Sequence, residues 1–358
     1  MSRFLMVDVG AGTMDVLYFD DETGMHYKAV AKSPVLYLAE KAAKLPGKLL
    51  ISGCEMGGGP ITQVLVARAK ETEVLMTTSA AMTLHHDLDR VRAWGIGIVE
   101  DAAAKQLRST GGYSALELGD LEMERLERIV MGFGVPCEFD VVAVCAQDHG
   151  MPPEGVSHLD YRHNLFTASL DRNPFPQSLL FRSDAVPETF NRLRSIARTA
   201  RTLPTRDVYV MDSGMAAILG ASMDLHAIPK ERIMVLDVAT SHTVGAALVK
   251  GEIAGFFEYH TRDVTLERLE QLLHDLAEGK LAHHQILEEG GHGAYVREAV
   301  GFRAVEAIVA TGPKRRLVEE SKLPVTFGAP WGDNMMTGTV GLLEAVRRAE
   351  EMKPIHYL

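Results

Sequence analysis

FLMVDVGAGTMDVLYFDDETGMHYKAV, residues 4–30, and IMVLDVATSHTVGAALVKGEIAGFFEY, residues 233–259, can be laid over one another with Asp8 on Asp237. Each predicts a strand, a small-residue turn, a second strand, a turn and a third strand. Self-similarity of this length, far apart in one chain, implies a duplicated domain core. Around the first copy, apolar runs of strand length at 4–10, 14–20, 26–31, 48–53, 73–77, 138–147 and 207–211 alternate with helical patterns at 34–45, 61–70, 79–91, 118–131 and 187–201. That alternation is the mark of α/β layering. The second copy predicts a three-stranded meander, helices at 264–278 and 280–288, a strand at 305–310 and a last helix at 336–348. Between Gly150 and Val186 lies a stretch rich in Pro, Ser, Asp and Asn with no sustained period, longer than an ordinary connection and predicted irregular.

The bulk properties narrow the function classes. A chain of 358 residues predicts two domains, each with its own core. Its hydrophobic fraction of 46% and charged fraction of 24% are those of a globular protein and argue against disorder. A net charge of -11 leaves no basic surplus to neutralise a phosphate backbone, so nucleic acid is not an expected partner. Three cysteines, Cys54, Cys137 and Cys145, give an odd count without CxxC spacing, which disfavours a disulfide framework or a thiolate zinc site and fits a reducing cytoplasm. No apolar run is long enough to span a bilayer and the first residues lack a signal-peptide pattern, so neither membrane nor export is expected.

The first turn, GAGTMD from Gly10 to Asp15, imitates a dinucleotide fingerprint. A Rossmann turn must open a helix whose N-terminus faces the pyrophosphate, whereas this one runs into a β-patterned segment. No GxxxxGK[ST] occurs either, so a Walker cradle is absent. What remains is a strand-turn-strand hairpin, present twice, with an aspartate at the strand end and small residues in the turn. Small residues let backbone N–H groups approach phosphate oxygens, and the aspartate can hold magnesium, usually through water. Two such hairpins facing each other would clamp one nucleotide; two ordinary hairpins with turn glycines are the plainer alternative.

In its order of motifs the sequence resembles the actin-like ATPase superfamily, with its actin, heat-shock chaperone and sugar kinase members. FLMVDVGAGTMDVLYF (4–19) looks like the first phosphate motif, VYVMDSGMAAILGA (208–221) the first connecting helix and IMVLDVATSHTVGAAL (233–248) the second phosphate motif. AIVATGPKRRL (307–317) looks like the adenosine loop and GTVGLLEAVRRAEE (338–351) the closing helix. Within that superfamily the chain is most similar to a family labelled as pyruvate formate-lyase activating enzymes. That activity is set aside, because a radical-SAM activase needs a CxxxCxxC site that these cysteines do not supply.

The resemblance implies a duplicated actin-like α/β fold with ribonuclease H-like cores, two lobes and Mg-ATP or Mg-ADP in the cleft between them. The expected lobes are 1–220, including the irregular stretch 150–186, and 221–335, with a C-terminal helix in 336–358 packing back on the first lobe. It implies Asp8 and Asp237 as the magnesium-side aspartates and Gly10, Ala11, Gly12 and Thr13 as the turn around the β- and γ-phosphates. Asp212 falls where the chaperones place an acidic residue that organises the magnesium shell, and Thr311 and Gly312 fall in the adenosine loop in place of its double glycine. The second turn, Ala239 to Ser241, has no glycine, so phosphate contacts there would be either weaker or made by the hydroxyls of Thr240 and Ser241.

Phosphoryl transfer needs a group that orients the attacking oxygen. Gln147 and Asp148, at the end of the strand at 138–147, are the candidates: the glutamine to orient water, the aspartate to accept a hydroxyl proton. Polar residues simply leaving a buried strand are an equal alternative. Gly57 to Gly59 form a third small-residue turn that could approach a substrate or be a plain turn. The pairs His85-His86 and His283-His284 are poor chelates, since adjacent helical residues point about 100° apart. One arginine of the run Lys314 to Arg316 could stack on adenine or simply face solvent. Three functions follow: an ATPase whose lobe closure acts on a protein or cofactor partner, a small-molecule kinase of the sugar-kinase type with Asp148 as base, or a non-catalytic nucleotide-binding scaffold.

Overall fold

Phe4, Leu5, Met6 and Val7 are all buried, a pattern that only a strand covered on both faces carries. The computed structural model, which describes residues 2–153 and 155–357, places this run in β1 (Arg3–Val9), at the centre of a six-stranded sheet. β2 (Thr13–Asp20) and β3 (His26–Lys32) follow as an antiparallel meander. The edge strand β3 is only half-buried and carries Lys28 and Lys32, charges that discourage edge-to-edge pairing.

The chain then builds a separate, smaller unit. Helix α1 (Pro34–Lys44) starts with proline at its first position, where the ring's fixed φ suits a helix and its missing N–H costs nothing. After it come β4 (Lys48–Gly53), α2 (Pro60–Ala69), β5 (Val74–Thr77), α3 (Thr78–Ala81), α4 (Leu88–Ala93), β6 (Gly97–Val99), α5 (Asp101–Thr110) and β7 (Tyr113–Leu118). Its four strands form an all-parallel sheet in the order β6-β5-β4-β7, with its own apolar cluster around Leu49, Ile51, Leu65 and Met76. The expected single helix at 79–91 is broken here. Asp87 accepts hydrogen bonds from the N–H groups of Asp89 and Arg90 and so starts a new helix at Leu88.

Helix α6 (Met123–Gly132) returns the chain to the first sheet, where β8 (Phe139–Ala146) runs parallel to β1. The stretch 150–186, expected to be irregular, instead holds a 13-residue helix, α7 (His158–Leu170), and the short strand β9 (Leu180–Arg182). Its buried stripe is Arg162, Phe166 and Leu170, so a charged residue occupies the position that would have revealed the helical period. Helix α8 (Asn191–Ala200), β10 (Thr205–Asp212) and α9 (Ser213–Ser222) complete this half, with the sheet order β3-β2-β1-β8-β10-β9.

The second half repeats the plan. β11 (Arg232–Val238), β12 (His242–Val249) and β13 (Glu252–His260) form the antiparallel meander, followed by α10 (Leu266–Ala277), α11 (His283–Glu288), β14 (Gly293–Val296), β15 (Ala307–Thr311), β16 (Val325–Phe327) and α12 (Thr337–Ala349). Sheet order is β14-β13-β12-β11-β15-β16, with β15 parallel to β11 as β8 is to β1. Both halves therefore share the order 3-2-1-4-5 of a ribonuclease H-like core, each closed by a helix.

Those closing helices are exchanged. α12 packs on β1, β2 and β8 of the first sheet, while α9 packs on β11, β12 and β15 of the second. The two cross at glycines: a Cβ on Gly220 would stand 1.8 Å from the carbonyl oxygen of Thr337, and one on Gly341 1.8 Å from that of Ala216. Only glycine permits so close an approach. One continuous apolar cluster therefore runs from the first sheet through both helices to Val235 and Phe256 of the second, and a second cluster lies under α10 and α11. Among the described residues no helix is long and apolar enough to cross a membrane.

Candidate functional site

The two hairpins close in the same way. Gly10 N–H donates to the Thr13 carbonyl at 3.0 Å, and Ala239 N–H to the His242 carbonyl at 3.0 Å, the same positions in the repeat. The turns also meet. A Cβ on Gly12 would lie 2.7 Å from Thr240 Oγ1, so the first turn touches the second through the one residue type that fits. Lys314 Nζ donates to the Thr240 carbonyl at 2.9 Å and steadies the second turn. Gly312, at φ 88°, presses against β11: a Cβ there would stand 2.6 Å from the Val238 carbonyl oxygen and 2.8 Å from Asp237 Oδ1.

Between the halves opens a cleft of about 1030 Å³. Both turns line it, as do Asp8, Asp15, Asp237, Gln147, Asp148, Gly312 and the Gly57 to Gly59 turn. The parallel pairing sets Cys145 beside Asp8 and Thr311 beside Asp237. Thr311 Oγ1 donates to Asp237 Oδ1 at 3.1 Å, so this strand-end aspartate is held by the neighbouring parallel strand. Burial pushes the three carboxyls of the hairpins up: Asp237 to about 6, Asp8 to about 7 with Asp237 adding to the effect, and Asp15 to about 8 with Asp8 adding. Asp15 sits opposite Asp8 across the hairpin, is buried, and its Oδ1 has no hydrogen-bond partner among the described residues.

Other expected residues are already engaged by protein groups. Asp212 lies behind the cleft wall, accepting from Met215 N–H at 3.0 Å as the cap of α9 and from Arg162 Nη2 at 3.0 Å. Asp148 accepts from the N–H groups of Gly150 at 2.8 Å and Leu193 at 2.9 Å, one on each carboxyl oxygen, so it ties the end of β8 to α8. Burial raises its pKa to about 6. The Gln147 side chain bonds Glu258, and Ser241 Oγ lies 2.8 Å from His242 Nδ1. Arg315 stacks over Phe327 and bonds the Gly328 carbonyl. His86 pairs with Glu55 at 2.7 Å and His283 with Asp160 at 3.1 Å, so neither adjacent pair acts as one unit.

Sequence reasoning passed over the charged core next to this cleft. Arg162 is buried between two carboxylates from different halves, with Nη1 2.6 Å from Glu258 Oε2 and Nη2 3.0 Å from Asp212 Oδ2. Burial works to raise Glu258, but Arg162 and His292 outweigh it and hold its carboxyl well below the usual range. Around Glu258 stand His149, His242, His260 and His292. Burial, with Arg162 adding to it, pushes His149 down to about 3, and burial outweighs the pull of Glu258 to push His242 down to about 4, so both are neutral. A carboxylate inside the apolar run of β13 was the available signal for Glu258. Arg162 had none, because its helix was masked.

Two ribonuclease H-like cores with exchanged closing helices, and a cleft faced by twin aspartate hairpins, define an actin-like ATPase fold. Residues 56–317 match the model of the DUF1786 family, described as "Putative pyruvate format-lyase activating enzyme", and the chain belongs to that family. No curated protein matches the sequence. Similar solved structures include the AlfA filament from a B. subtilis plasmid (10% identity, 96% of this chain and 98% of that one, TM-score 0.40). MreB5 of Spiroplasma citri bound to ADP is 9% identical over 98% of this chain and 99% of its own, with TM-score 0.35. The ROK hexokinase of Thermus thermophilus is 12% identical over 98% and 99%, with TM-score 0.31. The fold assignment rests on strand order and the duplicated hairpins, and these likenesses carry none of it.

Proposed function

We propose that the cleft binds Mg-ATP and that the chain hydrolyses it, using closure of the two halves to act on a protein or cofactor partner. The observation that supports this most is the contact of Gly12 with Thr240, which turns two equivalent small-residue hairpins toward one space with an aspartate behind each. Backbone N–H groups of Ala11 to Thr13, with the hydroxyls of Thr240 and Ser241, would donate to phosphate oxygens. The orphaned Asp15 Oδ1 and the raised Asp8 and Asp237 fit a hard cation that removes the charge repulsion. Their oxygens do not form a tight three-carboxylate group among the described residues. That suits magnesium, which keeps several waters and binds through one or two carboxylates plus phosphate. When bound, magnesium would supply positive charge against the β- and γ-oxygens. A kinase reading draws no support from Asp148, whose two oxygens both take backbone N–H groups. The activity in the family description is not assigned either: the cysteines form no metal-ligating group among the described residues.

Mg-ATP or Mg-ADP is expected to raise the melting temperature, since a ligand at about 100 times its Kd adds roughly 2.7 kcal/mol to the folded state. An unchanged melting temperature at millimolar nucleotide with magnesium would remove this proposal. A pH dependence accompanies it. Carboxyls raised from 3.8 to between about 6 and about 8 keep protons in the folded chain that the unfolded chain has released. Their contribution to stability is lost as pH rises through that window. The metal-free chain should therefore melt lower at pH 8.5 than at pH 7, a range above the ordinary histidine value where the buried neutral His149 and His242 do not offset the carboxyls, and magnesium, which competes with those protons, should recover more of the loss at the higher pH. Melting curves at both values, with and without magnesium chloride, check this; a magnesium effect that shrinks with pH would contradict it.

A further inference from the structure

Three strands of the second sheet end their histidines at one place. His242 begins β12 and His260 ends β13, where the two face each other across the strand pair. His292 stands just before β14, its N–H bound to the Glu258 carbonyl at 2.8 Å. His292 Nε2 and His260 Nε2 are 3.1 Å apart, and one ligand atom from each of the three rings falls within 4.8 Å of the others. Three imidazole nitrogens around one zinc ion at 2.0–2.1 Å would stand roughly 3.3 Å apart, so small ring rotations close the set.

Two rings already have the outer partners that select the ligating nitrogen. His242 Nδ1 is engaged by Ser241 Oγ at 2.8 Å, which leaves Nε2, and that atom is buried without a partner among the described residues. His292 Nδ1 lies 3.3 Å from Glu258 Oε1, within ion-pair reach though not aligned as a hydrogen bond. Glu258 is in turn fixed by Arg162 at 2.6 Å. A carboxylate behind a histidine whose other nitrogen faces a shared point is the usual support of a metal ligand. All three rings line the cleft.

We propose that His242, His260 and His292 bind one divalent transition metal ion of the zinc class, with a coordination position left open to the cleft. Three imidazole ligands without a thiolate favour zinc, cobalt, nickel, copper or ferrous iron, and not magnesium or calcium. Three protein ligands plus an open position is the arrangement that activates a water or polarises a bound oxygen, not the closed four-ligand set of a structural zinc. The site is separate from the Asp8 and Asp237 positions and does not depend on nucleotide binding.

The test uses the full chain, stripped with a chelator and dialysed against zinc chloride without nucleotide, with metal content read by mass spectrometry. The wild type should retain one zinc per chain, also in millimolar magnesium. With cobalt chloride it should show the visible absorption of low-coordinate cobalt. His242→Asn and His260→Asn, taken from the two rings that are not fully buried, should each weaken zinc binding at least tenfold while circular dichroism stays that of the wild type. Asp8→Asn and the exposed His284→Asn should retain the full equivalent. Absence of stoichiometric zinc in the wild type, or equal retention in folded His242→Asn and His260→Asn, would overturn the assignment.

Discussion

Arg162→Met is expected to lower the free energy of unfolding by about 3–5 kcal/mol at pH 7, the range for breaking a buried ion pair by removing one partner. Asp212 and Glu258 are both buried and both lean on this one guanidinium, at 3.0 and 2.6 Å, so the variant strands two carboxylates in the core. Methionine fills most of the volume, and Phe166, over which the guanidinium stacks at 4.4 Å, keeps an apolar neighbour. The loss is therefore one of charge and not of packing. It should shrink as pH falls: the depressed Glu258 carboxyl contributes stability above its unfolded value, and that contribution is lost as protonation sets in. Adding Glu258→Gln to Arg162→Met should recover part of the deficit, because the two residues share the interaction. Denaturant unfolding of the single and double variants checks both points; a change under about 1 kcal/mol for the single variant would contradict the picture.

The second large effect concerns turnover. Asp8→Asn and Asp237→Asn are each expected to cut magnesium-dependent ATP hydrolysis by about tenfold or more, because the amide keeps the shape and removes the charge that would hold the metal. Both variants should fold, and both should melt higher than the wild type in the absence of metal at pH 8, since each removes a buried charge from the folded state. Wild-type hydrolysis rates in the two folded variants would remove these aspartates from the reaction.

The duplicated core was legible because its signal is local. The order of runs and turns in 4–30 and 233–259 fixes the hairpins, and the turn residues Gly10 to Thr13 and Thr240 to Ser241 lie within them, so residue spacing placed each turn in its own hairpin while the facing of the two was implied by the resemblance. The cleft's other wall was less accessible. The strands at 97–99 and 113–118 and the helix at 101–110 escaped notice, the first because a three-residue strand carries no period. Helix α7 was hidden because the residue that completes its buried stripe is an arginine, and a polarity pattern cannot tell a buried, paired guanidinium from a solvated one. The three histidines form the opposite case. The Lys250-Gly251 turn by itself would set His242 opposite Tyr259, and a bulge between Ala247 and Leu248 shifts the register by one to bring His260 there, which the spacing does not announce. His292 joins them only through the pairing of β14 with β13, a contact between residues far apart in the chain that no local pattern encodes.

On the reading proposed above, the two equivalent hairpins clamp one nucleotide between them. Calorimetric titration of Mg-ADP into the wild type and into Gly12→Val tests it most directly, since a side chain on Gly12 would fill the contact with Thr240 and spread the turns apart. One bound nucleotide per chain in the wild type, with the heat lost or the affinity reduced at least tenfold in a folded Gly12→Val, is the expected result. Absence of binding by the wild type, or the same affinity in both proteins, would contradict it.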